Sequence, residues 1–525
     1  MQIKTDRSEF LTYLEDASLF PGGSADKIFF PESSHEVIQV ITECVAKSIP
    51  ITISGRGTGL TGGRVPQKGV ILSLDRLLNE KPPIDTMVDQ VLNCEQDGSV
   101  GSIYILKEGN QLSAWVSAGL SLEVFQKQIL KLGLYYPPNP TETKASLGGT
   151  LATNASGSRS YKYGATRCWV NAIRLLTMDG QIRDIRRGQY KSHKGLMHDF
   201  LEKGRSISIP TYTMPNCKHV AGYYVKEDLD VVDLLIGSEG TLGIITAMEL
   251  ILISRPAHIL SGISFFKSEK EAWQVVQKIR ENHFDLSAIE YFDCFSLEKL
   301  RRKKHKVSIP VYAQSALYWE YETDHSITQD EIWNALEQSM QTEFSPKNFI
   351  EQWFIFLKQF LVLDDMSFYI DDLEPHRYFR HLLPLVINEE IIANKRHSGQ
   401  PIHKVATDFA CPDQYFLEMM TYYESALKHS GLEYVMFGHI GNNHLHVNLL
   451  PKNLVEFKKA WQVYTEMAVR IVQWQGTISA EHGIGKLKKH LLKLLYLETA
   501  IQEMRLLKRQ MDPQGLLGQG NIFDL

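Results

Sequence analysis

The sequence predicts an α+β protein with more than one domain, and three observations support this class. Its 525 residues are enough for two to four domains at roughly 100–200 residues each. Short strands, β-hairpins and amphipathic helices alternate along the chain without a repeat of fixed length. The glycine-rich character of the first half ends at Arg255-Pro256, which marks the expected domain boundary.

The bulk composition excludes several classes of protein. A content of 43% hydrophobic and 22% charged residues is typical of a soluble globular protein, and a net charge of −5 gives no case for nucleic-acid binding. The six cysteines lie far apart without a C-x-x-C pair, so we expect no iron–sulfur motif and no disulfide framework. We also expect no membrane span and no signal peptide, because no sufficiently long apolar run occurs.

The first elements alternate between strand and helix. The β-type run 28–30 predicts a short strand, and the capping box Ser33-x-x-Glu36 opens an amphipathic helix over 36–47. Further strands are expected at 51–53 and 69–75.

A glycine-rich loop connects those last two strands, with glycines at positions 55, 57, 59, 62 and 63. Glycine carries no Cβ, so such a loop can bring several backbone N–H groups to one anion, and we expect a phosphate or pyrophosphate there. The loop contains a literal G-x-G-x-x-G, but a nicotinamide-binding Rossmann site needs a helix starting inside the glycines. Here a strand follows instead. The alternative is an ordinary glycine turn.

Two more stretches are rich in small residues. Hairpins over 82–119 and a helix over 121–132 lead to the segment 136–164, whose amides and the hydroxyls of Ser146, Thr153 and Ser156 suit a flat ligand. The alternative for that segment is a flexible linker. Residues 187–230 predict a long loop or small lid. In 233–252, two apolar strands flank a glycine-rich turn that offers another backbone surface for an anion or a ring.

The second half predicts strand–helix–strand units over 257–480, and the basic run 301–306 is interpreted as a solvated face. Near its end, a hairpin of strands 434–440 and 444–450 carries three histidines. Period two places alternate residues of the second strand on one face, and His439 can reach that face across the turn. We interpret this polar face as a metal site, with hydrogen-bonded core histidines as the alternative; it comprises His439, His444, His446 and Asn448.

A carboxylate and a further imidazole follow in the segment TISAEHGIGK. Glu481 lies in an apolar, glycine-flanked setting and is the expected acidic ligand of that metal. Neighbouring side chains point in different directions, so His482 can face a substrate as a general base. The alternative is a glutamate at a helix N-terminus with an incidental histidine.

Five motifs together resemble one protein family. GRGTGLTGG, ASLGGTLATNASG, GSEGTLGIIT, GHIGNNHLH and AEHGIGK follow one another in the order seen in FAD-linked D-2-hydroxyacid dehydrogenases, members of the vanillyl-alcohol-oxidase/PCMH flavoprotein superfamily. The resemblance covers about residues 28–523. It implies a PCMH-type FAD-binding domain of two α+β subdomains over 1–255 and a substrate-binding (cap) domain over 256–480. That second domain would contain an antiparallel sheet covered by helices, and segment 481–525 would return to the FAD domain.

The resemblance also implies roles for individual residues. The FAD contacts would be Gly55, Arg56, Gly57, Thr58, Gly59, Leu60, Ser146, Gly149, Thr153, Asn154, Ala155, Ser156, Glu239, Gly243, Ile244 and Ile245. A divalent metal, with zinc as the expected ion, would be bound by His439, His446 and Glu481, and His482 would be the base. Substrate contacts would come from Asn448, from His444 (which replaces a family asparagine) and from Arg396 or Lys404. Some relatives link FAD to a histidine of the first glycine loop, and because this loop has none, we expect non-covalent FAD.

The implied activity is oxidation of a D-2-hydroxy acid to a 2-oxo acid, with hydride transfer to the flavin. The alternatives are an alkylglycerone-phosphate-synthase-like transferase, a non-catalytic flavin- or metal-binding protein, and the nicotinamide enzyme that context disfavours. The electron acceptor is one of four alternatives: quinone, cytochrome, electron-transfer flavoprotein or oxygen. A homodimer is an alternative to a monomer. We expect a cytoplasmic protein; the segment beginning at Lys486 raises peripheral contact with the inner membrane as an alternative to packing its leucines inside the protein.

Overall fold

The computed structural model describes residues 1–339, 345–346 and 348–525. It confirms the α+β class, because helices and mostly antiparallel sheets pack in separate layers around shared hydrophobic cores. No helix among the described residues is both long and apolar enough to cross a membrane.

The first sheet contains the strand that leads into the glycine loop. Its four strands are, in spatial order, Gln2–Lys4, Lys27–Phe30, Val70–Ser73 and Ile51–Ser54. The last three are parallel, and the helix Ser34–Ala46 crosses between two of them. The Ser33 side chain accepts a hydrogen bond from Glu36 N, as the predicted cap requires.

The second sheet completes the N-terminal half. Its main path is Ile182–Arg186, Val170–Leu176, Ile244–Ser254, Gln111–Ser117, Ser99–Glu108 and Val88–Gln96, and Leu134–Tyr135 pairs with the third of these. The helices of this half that follow are Leu122–Leu130, Leu147–Ala152, Ser160–Tyr163 and Val231–Leu235. The predicted lid region contains a small sheet, Ser192–His193, Leu196–His198 and Ser206–Ser208, followed by irregular chain.

The third large sheet lies in the second half and is antiparallel at every recorded pairing, as predicted. Its path is Ser367–Ile370, His258–Phe266, Ser315–Thr323, Ala288–Phe292, Tyr434–Gly438, His444–Leu449 and Val405–Ala406, and Phe409–Ala410 pairs with His444–Leu449. Its helices are Glu269–Glu281, Cys294–Arg301, Gln329–Ser339, Phe349–Leu357, Glu374–Ser398, Phe416–Ser430 and Leu454–Gln473.

The C-terminal segment packs against the first sheet. Ile51 N donates to Leu516 O at 2.8 Å, and Gly518 N donates to Ile51 O at 2.9 Å, so the tail forms a parallel bridge beside the strand of the glycine loop. The two helices before it are Lys489–Leu495 and Glu498–Met511. The domain boundaries at 255 and 480 stay predictions.

Candidate functional site

The glycine loop after Ile51–Ser54 presents open backbone donors. Within the described part of the chain, no backbone N–H from Gly55 to Gly63 has a hydrogen-bond acceptor. Gly57 has φ +76°, a conformation that residues with a Cβ rarely adopt. Arg64 holds the loop from behind, donating from Nη1 to Gly55 O at 2.6 Å and from Nε to Glu15 O at 3.0 Å. A row of free amides is a backbone cradle for an anion.

The second small-residue stretch lies directly against this loop. A Cβ added at Gly55 would be 2.6 Å from Ser146 Oγ, so only glycine permits the approach. Ser146 caps the helix Leu147–Ala152 by accepting from Gly149 N at 3.2 Å. Thr153, Asn154, Ala155 and Ser156 follow that helix, and Ser156 Oγ donates to Glu481 Oε2 at 3.0 Å. The stretch therefore connects the glycine loop with the acidic residue of the other cluster.

The third stretch, the glycine-rich turn within 233–252, contributes a side-chain carboxylate that binds protein backbone. Glu239 has φ +52°, and its carboxylate accepts from Ile484 N and Gly485 N at 2.7 Å each. Burial raises its pKa to about 7, against those two hydrogen bonds. This carboxylate thus binds the segment after His482. Gly243 and Ile244 are packed in the sheet interior, Ile245 is half-buried, and the predicted roles of these residues toward a cofactor stay predictions.

The Arg56 side chain is paired with a residue outside the loop, and its predicted contact with the cofactor stays a prediction. Its Nη1 lies 2.6 Å from Asp97 Oδ2, in the turn of the hairpin Val88–Glu108, so its charge is paired at the outside of the loop. Thr58 is half-buried, while Gly59 and Leu60 are exposed. The backbone of this loop, and not the Arg56 guanidinium, is its open donor surface.

The histidine hairpin and Glu481 form one cluster of ligand atoms. His439, His444, His446 and Glu481 each offer one such atom within 4.8 Å of the others. Glu481 Oε1 lies 3.4 Å from His439 Nε2 and 3.3 Å from His446 Nε2. Three imidazoles and a carboxylate at this spacing are a donor set that zinc and similar divalent ions use. The residues therefore fit the expected metal.

A carboxylate behind the cluster orients its first imidazole. Glu290 Oε1 lies 3.2 Å from His439 Nδ1, and Arg380 holds the same carboxylate from Nε and Nη2 at 2.7 and 2.5 Å. Burial opposes ionisation of Glu290, but the charge of Arg380 outweighs it and holds the pKa of Glu290 far below its usual value. A carboxylate on the far nitrogen of a ligating histidine fixes its tautomer and ring orientation.

Asp408 has a similar position behind two other imidazoles. It is 1% exposed and lies 3.0 Å from His444 Nε2 and 3.5 Å from His482 Nδ1. It also accepts hydrogen bonds from the backbone of Glu481 and His482, at 3.1 and 3.0 Å, and pairs with Lys488 Nζ at 2.6 Å. Burial disfavours its charge, but the adjacent His482 imidazole, the Lys488 ammonium and the contact with His444 hold the pKa of Asp408 well below its usual value.

A lysine from the irregular segment after the small sheet also contacts the cluster. Lys218 Nζ lies 2.8 Å from Glu481 Oε2, and both side chains are largely buried. The backbone holds this segment in place, since Val220 N donates to Ser479 O at 2.9 Å. The cluster therefore contains an internal cation beside the acidic ligand.

The predicted base lies at the edge of the cluster. The His482 side chain is 24% exposed, and its Nε2 is 3.6 Å from Glu481 Oε1. Burial lowers the pKa of His482 to about 4, so the ring is neutral near pH 7. Asn448 lies on the same strand face as His446 and is buried.

The two predicted substrate-binding cations, Arg396 and Lys404, lie in different surroundings. Arg396 is exposed near the C-terminal end of the helix Glu374–Ser398, and no ion pair joins it to another described residue. The structure does not bring it to the cluster. Lys404 precedes the strand Val405–Ala406, whose Ala406 pairs with Asn448, and burial lowers the pKa of Lys404. His444 is fully buried between Asp408 and Glu481, which places it with the cluster's ligand atoms and not at a surface that a substrate reaches.

Sequence reasoning missed four buried charged residues at this site, namely Lys218, Glu290, Arg380 and Asp408. Each comes from a different element, and none belongs to the motifs quoted above. The one local signal was a lone acid in the otherwise uncharged segment ATDFACP, since an aspartate in such surroundings is seldom fully buried without a partner.

The open glycine-rich cradle and the facing imidazole–carboxylate cluster define the class of the protein. A backbone surface for an anionic cofactor beside a cluster of buried titratable groups is the arrangement of a cofactor-dependent oxidoreductase.

Comparison with known proteins gives the family. Residues 25–186 match the model of an FAD binding domain, and residues 255–351 and 387–522 match that of the FAD linked oxidases, C-terminal domain. The chain belongs to these FAD-linked oxidases, in agreement with the predicted superfamily.

Named relatives span nearly the whole chain. Glycolate oxidase subunit GlcD of Bacillus subtilis is 24% identical over 98% of this chain and 92% of its own length. D-lactate dehydrogenase of Anaerostipes hadrus is 25% identical over 93% and 88%, and D-2-hydroxyglutarate dehydrogenase of Xanthomonas citri pv. viticola is 26% identical over 100% and 94%. A solved structure of an alkyldihydroxyacetonephosphate synthase aligns with a TM-score of 0.62 at 16% identity, covering 98% of this chain and 83% of the other, which shows the shared fold alone.

Proposed function

We propose that this chain oxidises a D-2-hydroxy acid to a 2-oxo acid with FAD as hydride acceptor. Glycolate oxidase, D-lactate dehydrogenase and D-2-hydroxyglutarate dehydrogenase, the relatives described above, support a 2-hydroxy acid as the substrate class. The observation that carries the proposal is the position of His482, an imidazole beside a three-histidine, one-glutamate cluster at the end of the cradle.

The chain's own residues supply binding and proton transfer. FAD, when bound, accepts the hydride, and a divalent metal supplies a positive charge that acidifies the substrate hydroxyl. The cradle amides of Gly55 to Gly63 and the segment at Ser146 would hold the cofactor's pyrophosphate. Asp408, on the Nδ1 side of His482, favours a proton on that nitrogen and leaves Nε2 free to accept the hydroxyl proton. Asn448 and Lys404 hold the substrate.

The metal is assigned to His439, His446 and Glu481, with His444 as a further ligand. Zinc suits this nitrogen-rich set better than magnesium or calcium, which prefer oxygen ligands. Glu290 and Asp408 keep the imidazoles oriented for it.

The remaining expectations concern how FAD is attached, which electron acceptor reoxidises it, and where in the cell the protein is located. FAD is non-covalent in this proposal, because the first glycine loop contains no histidine. Leu491 and Leu492 of the helix Lys489–Leu495 are each 1% exposed, which favours packing inside the protein over membrane contact. The protein is placed in the cytoplasm, and an acceptor among quinone, cytochrome, electron-transfer flavoprotein and oxygen would reoxidise the flavin.

A substrate panel tests the proposal directly. Purified protein is mixed anaerobically with the D and L forms of lactate and 2-hydroxyglutarate, and with glycolate, while stopped-flow absorbance follows flavin bleaching. We expect rapid reduction by at least one D acid or by glycolate, and slow reduction by the L forms. Flavin that stays oxidised with every acid, in protein of full FAD content, contradicts the proposal.

The Glu481→Gln variant tests the cluster in the same assay. Its loss of charge should lower bound zinc, measured by elemental analysis, and slow flavin reduction by on the order of a thousandfold. Exposed Glu227→Gln is the matched control. Unchanged reduction in Glu481→Gln would remove the cluster from the reaction.

A further inference from the structure

One cavity shares no lining residue with either the cradle or the histidine cluster. It has a volume of about 110 Å³ and is bounded by the helix Leu122–Leu130, the chain at Tyr135 and Tyr136, and Arg377 near the start of the helix Glu374–Ser398. A single water needs only about 10–15 Å³, so the space suits a small ion or molecule.

Three buried polar groups at this cavity have no partner among the described residues. Arg159 is 3% exposed, and although its Nε lies 2.6 Å from Glu320 Oε2, its Nη2 has no acceptor. The hydroxyls of Tyr135 and Tyr136 are buried and unbonded as well. Buried polar atoms are almost always hydrogen-bonded, so three at one cavity indicate a missing partner.

The charge of the lining selects the chemistry of that partner. The two carboxylates near Arg159 lie on its Nε side: Glu320 accepts from Arg159 Nε and from Tyr318 Oη, and Glu322, whose Oε1 is 3.8 Å from that Nε, accepts from Tyr163 Oη. No carboxylate lines the cavity within the described residues, and Arg377, which is exposed, forms no ion pair there either. A guanidinium and two hydroxyls offer donors to a group that only accepts.

We propose that this cavity binds a small oxyanion, either a carboxylate or a phosphate. Arg159 Nη2 and the Tyr135 and Tyr136 hydroxyls donate hydrogen bonds to its oxygens, and Arg377 adds positive charge at the outer side. The Arg159 guanidinium is already fixed, with its centre 5.4 Å from the Tyr135 ring centroid and its Nε on Glu320, so little ordering accompanies binding.

The location gives the site a structural consequence. Arg159 belongs to the N-terminal half, whereas Glu320 lies on the strand Ser315–Thr323 of the third large sheet. A bound oxyanion would therefore contact one of the residues that connect the two halves of the chain.

Calorimetric titration of the FAD-loaded full chain tests the site, with inorganic phosphate and acetate as separate probes. FAD loading keeps the cradle amides occupied. We expect saturable binding of one ion per chain. The Tyr135→Phe/Tyr136→Phe double variant should weaken binding at least about fivefold, because it removes two donors and keeps both rings. Tyr312→Phe, which removes a hydroxyl bonded to Asp365 at 2.6 Å outside the cavity, is the matched control and should bind as before.

The two probes separate the sources of the anion. Binding of phosphate alone assigns the site to phosphate groups, binding of acetate alone assigns it to carboxylates, and binding of both supports a general oxyanion site. The proposal is overturned if neither ion binds saturably, or if the double variant, with an unchanged flavin spectrum, binds as well as the parent. Arg377→Gln, at an exposed position that folding tolerates, is a second variant expected to weaken binding about twofold or more.

Discussion

The glycine loop and the histidine cluster are constructed in opposite ways. The loop offers backbone N–H groups from one continuous stretch, Gly55 to Gly63. The cluster gathers side chains from the hairpin at His439 to His446 and from Glu481. Three of its four members contact a charged residue from elsewhere in the chain: His439 contacts Glu290, His444 contacts Asp408, and Glu481 contacts Lys218. A backbone site is thus determined by local sequence, whereas a side-chain site depends on partners that only folding brings together.

This difference predicts how far from each site a mutation can still impair it. The loop depends on conformations that glycine permits, so its weak points lie within it. The cluster depends on buried carboxylates such as Asp408 and Glu290, so its weak points extend into neighbouring elements. The three predictions below test these dependences.

The largest effect is expected for Asp408→Asn. Glu481 N donates to Oδ1 of Asp408 and His482 N donates to Oδ2, so the amide retains an acceptor for only one of them. It also removes the charge opposite Lys488, His444 and His482. Loss of an orienting carboxylate behind such imidazoles typically costs about 10- to 100-fold in activity or metal affinity. Flavin reduction by the best hydroxy acid and bound zinc per chain are the two measurements.

The control for Asp408→Asn separates orientation from folding. Asp179→Asn changes an acid in the turn after the strand Val170–Leu176, outside the cluster, and should retain both properties. If Asp408→Asn keeps full zinc content and full reduction rate, the cluster does not depend on its distant carboxylate and the contrast with the loop fails.

A smaller effect is expected from a methyl group in the loop. Gly57 and Gly98 both have φ +76°, so alanine is strained equally at each. At Gly57 the added Cβ would lie 2.6 Å from Arg64 Cζ, whereas at Gly98 it meets nothing within 4 Å. Gly57→Ala should therefore displace Arg64 and the cradle amides and weaken FAD binding by on the order of tenfold, or about 1.4 kcal/mol.

Fluorescence titration of FAD into the two alanine variants measures this difference. Gly98→Ala carries the same backbone strain and should bind FAD like the parent. Equal weakening in both variants would show that general strain, not the geometry of the cradle, controls the affinity.

The same contrast explains how much of the molecule could be predicted from its sequence. The α+β class, the strand–loop–strand around Gly57 and the histidine face of His444–Leu449 follow from local periodicity and turn residues. Arg396 is one of two cations predicted to bind the substrate, yet it is exposed at a helix end. Lys218 and Arg380 were missed because their pairing depends on packing between distant elements, for which local sequence carries no signal.

The smallest effect concerns His376, a buried histidine near Arg380 and Glu320. His376 is fully buried between the hydroxyls of Ser261 and Ser367, and burial lowers its pKa from 6.5 to about 3, although Glu320 opposes the shift. At pH values between these two pKa values, the unfolded chain binds a proton at His376 and the folded chain does not. The stability contributed by the neutral imidazole is therefore complete above about pH 6.5 and declines as the pH falls. From about pH 7 to about pH 5.5, His376 should lower the free energy of unfolding by about 1 kcal/mol. Denaturant unfolding at both pH values should show a smaller decline in His376→Gln than in the parent, while exposed His429→Gln behaves like the parent. An equal decline in all three proteins would mean that burial of the neutral His376 imidazole does not contribute to the pH dependence of the free energy of unfolding.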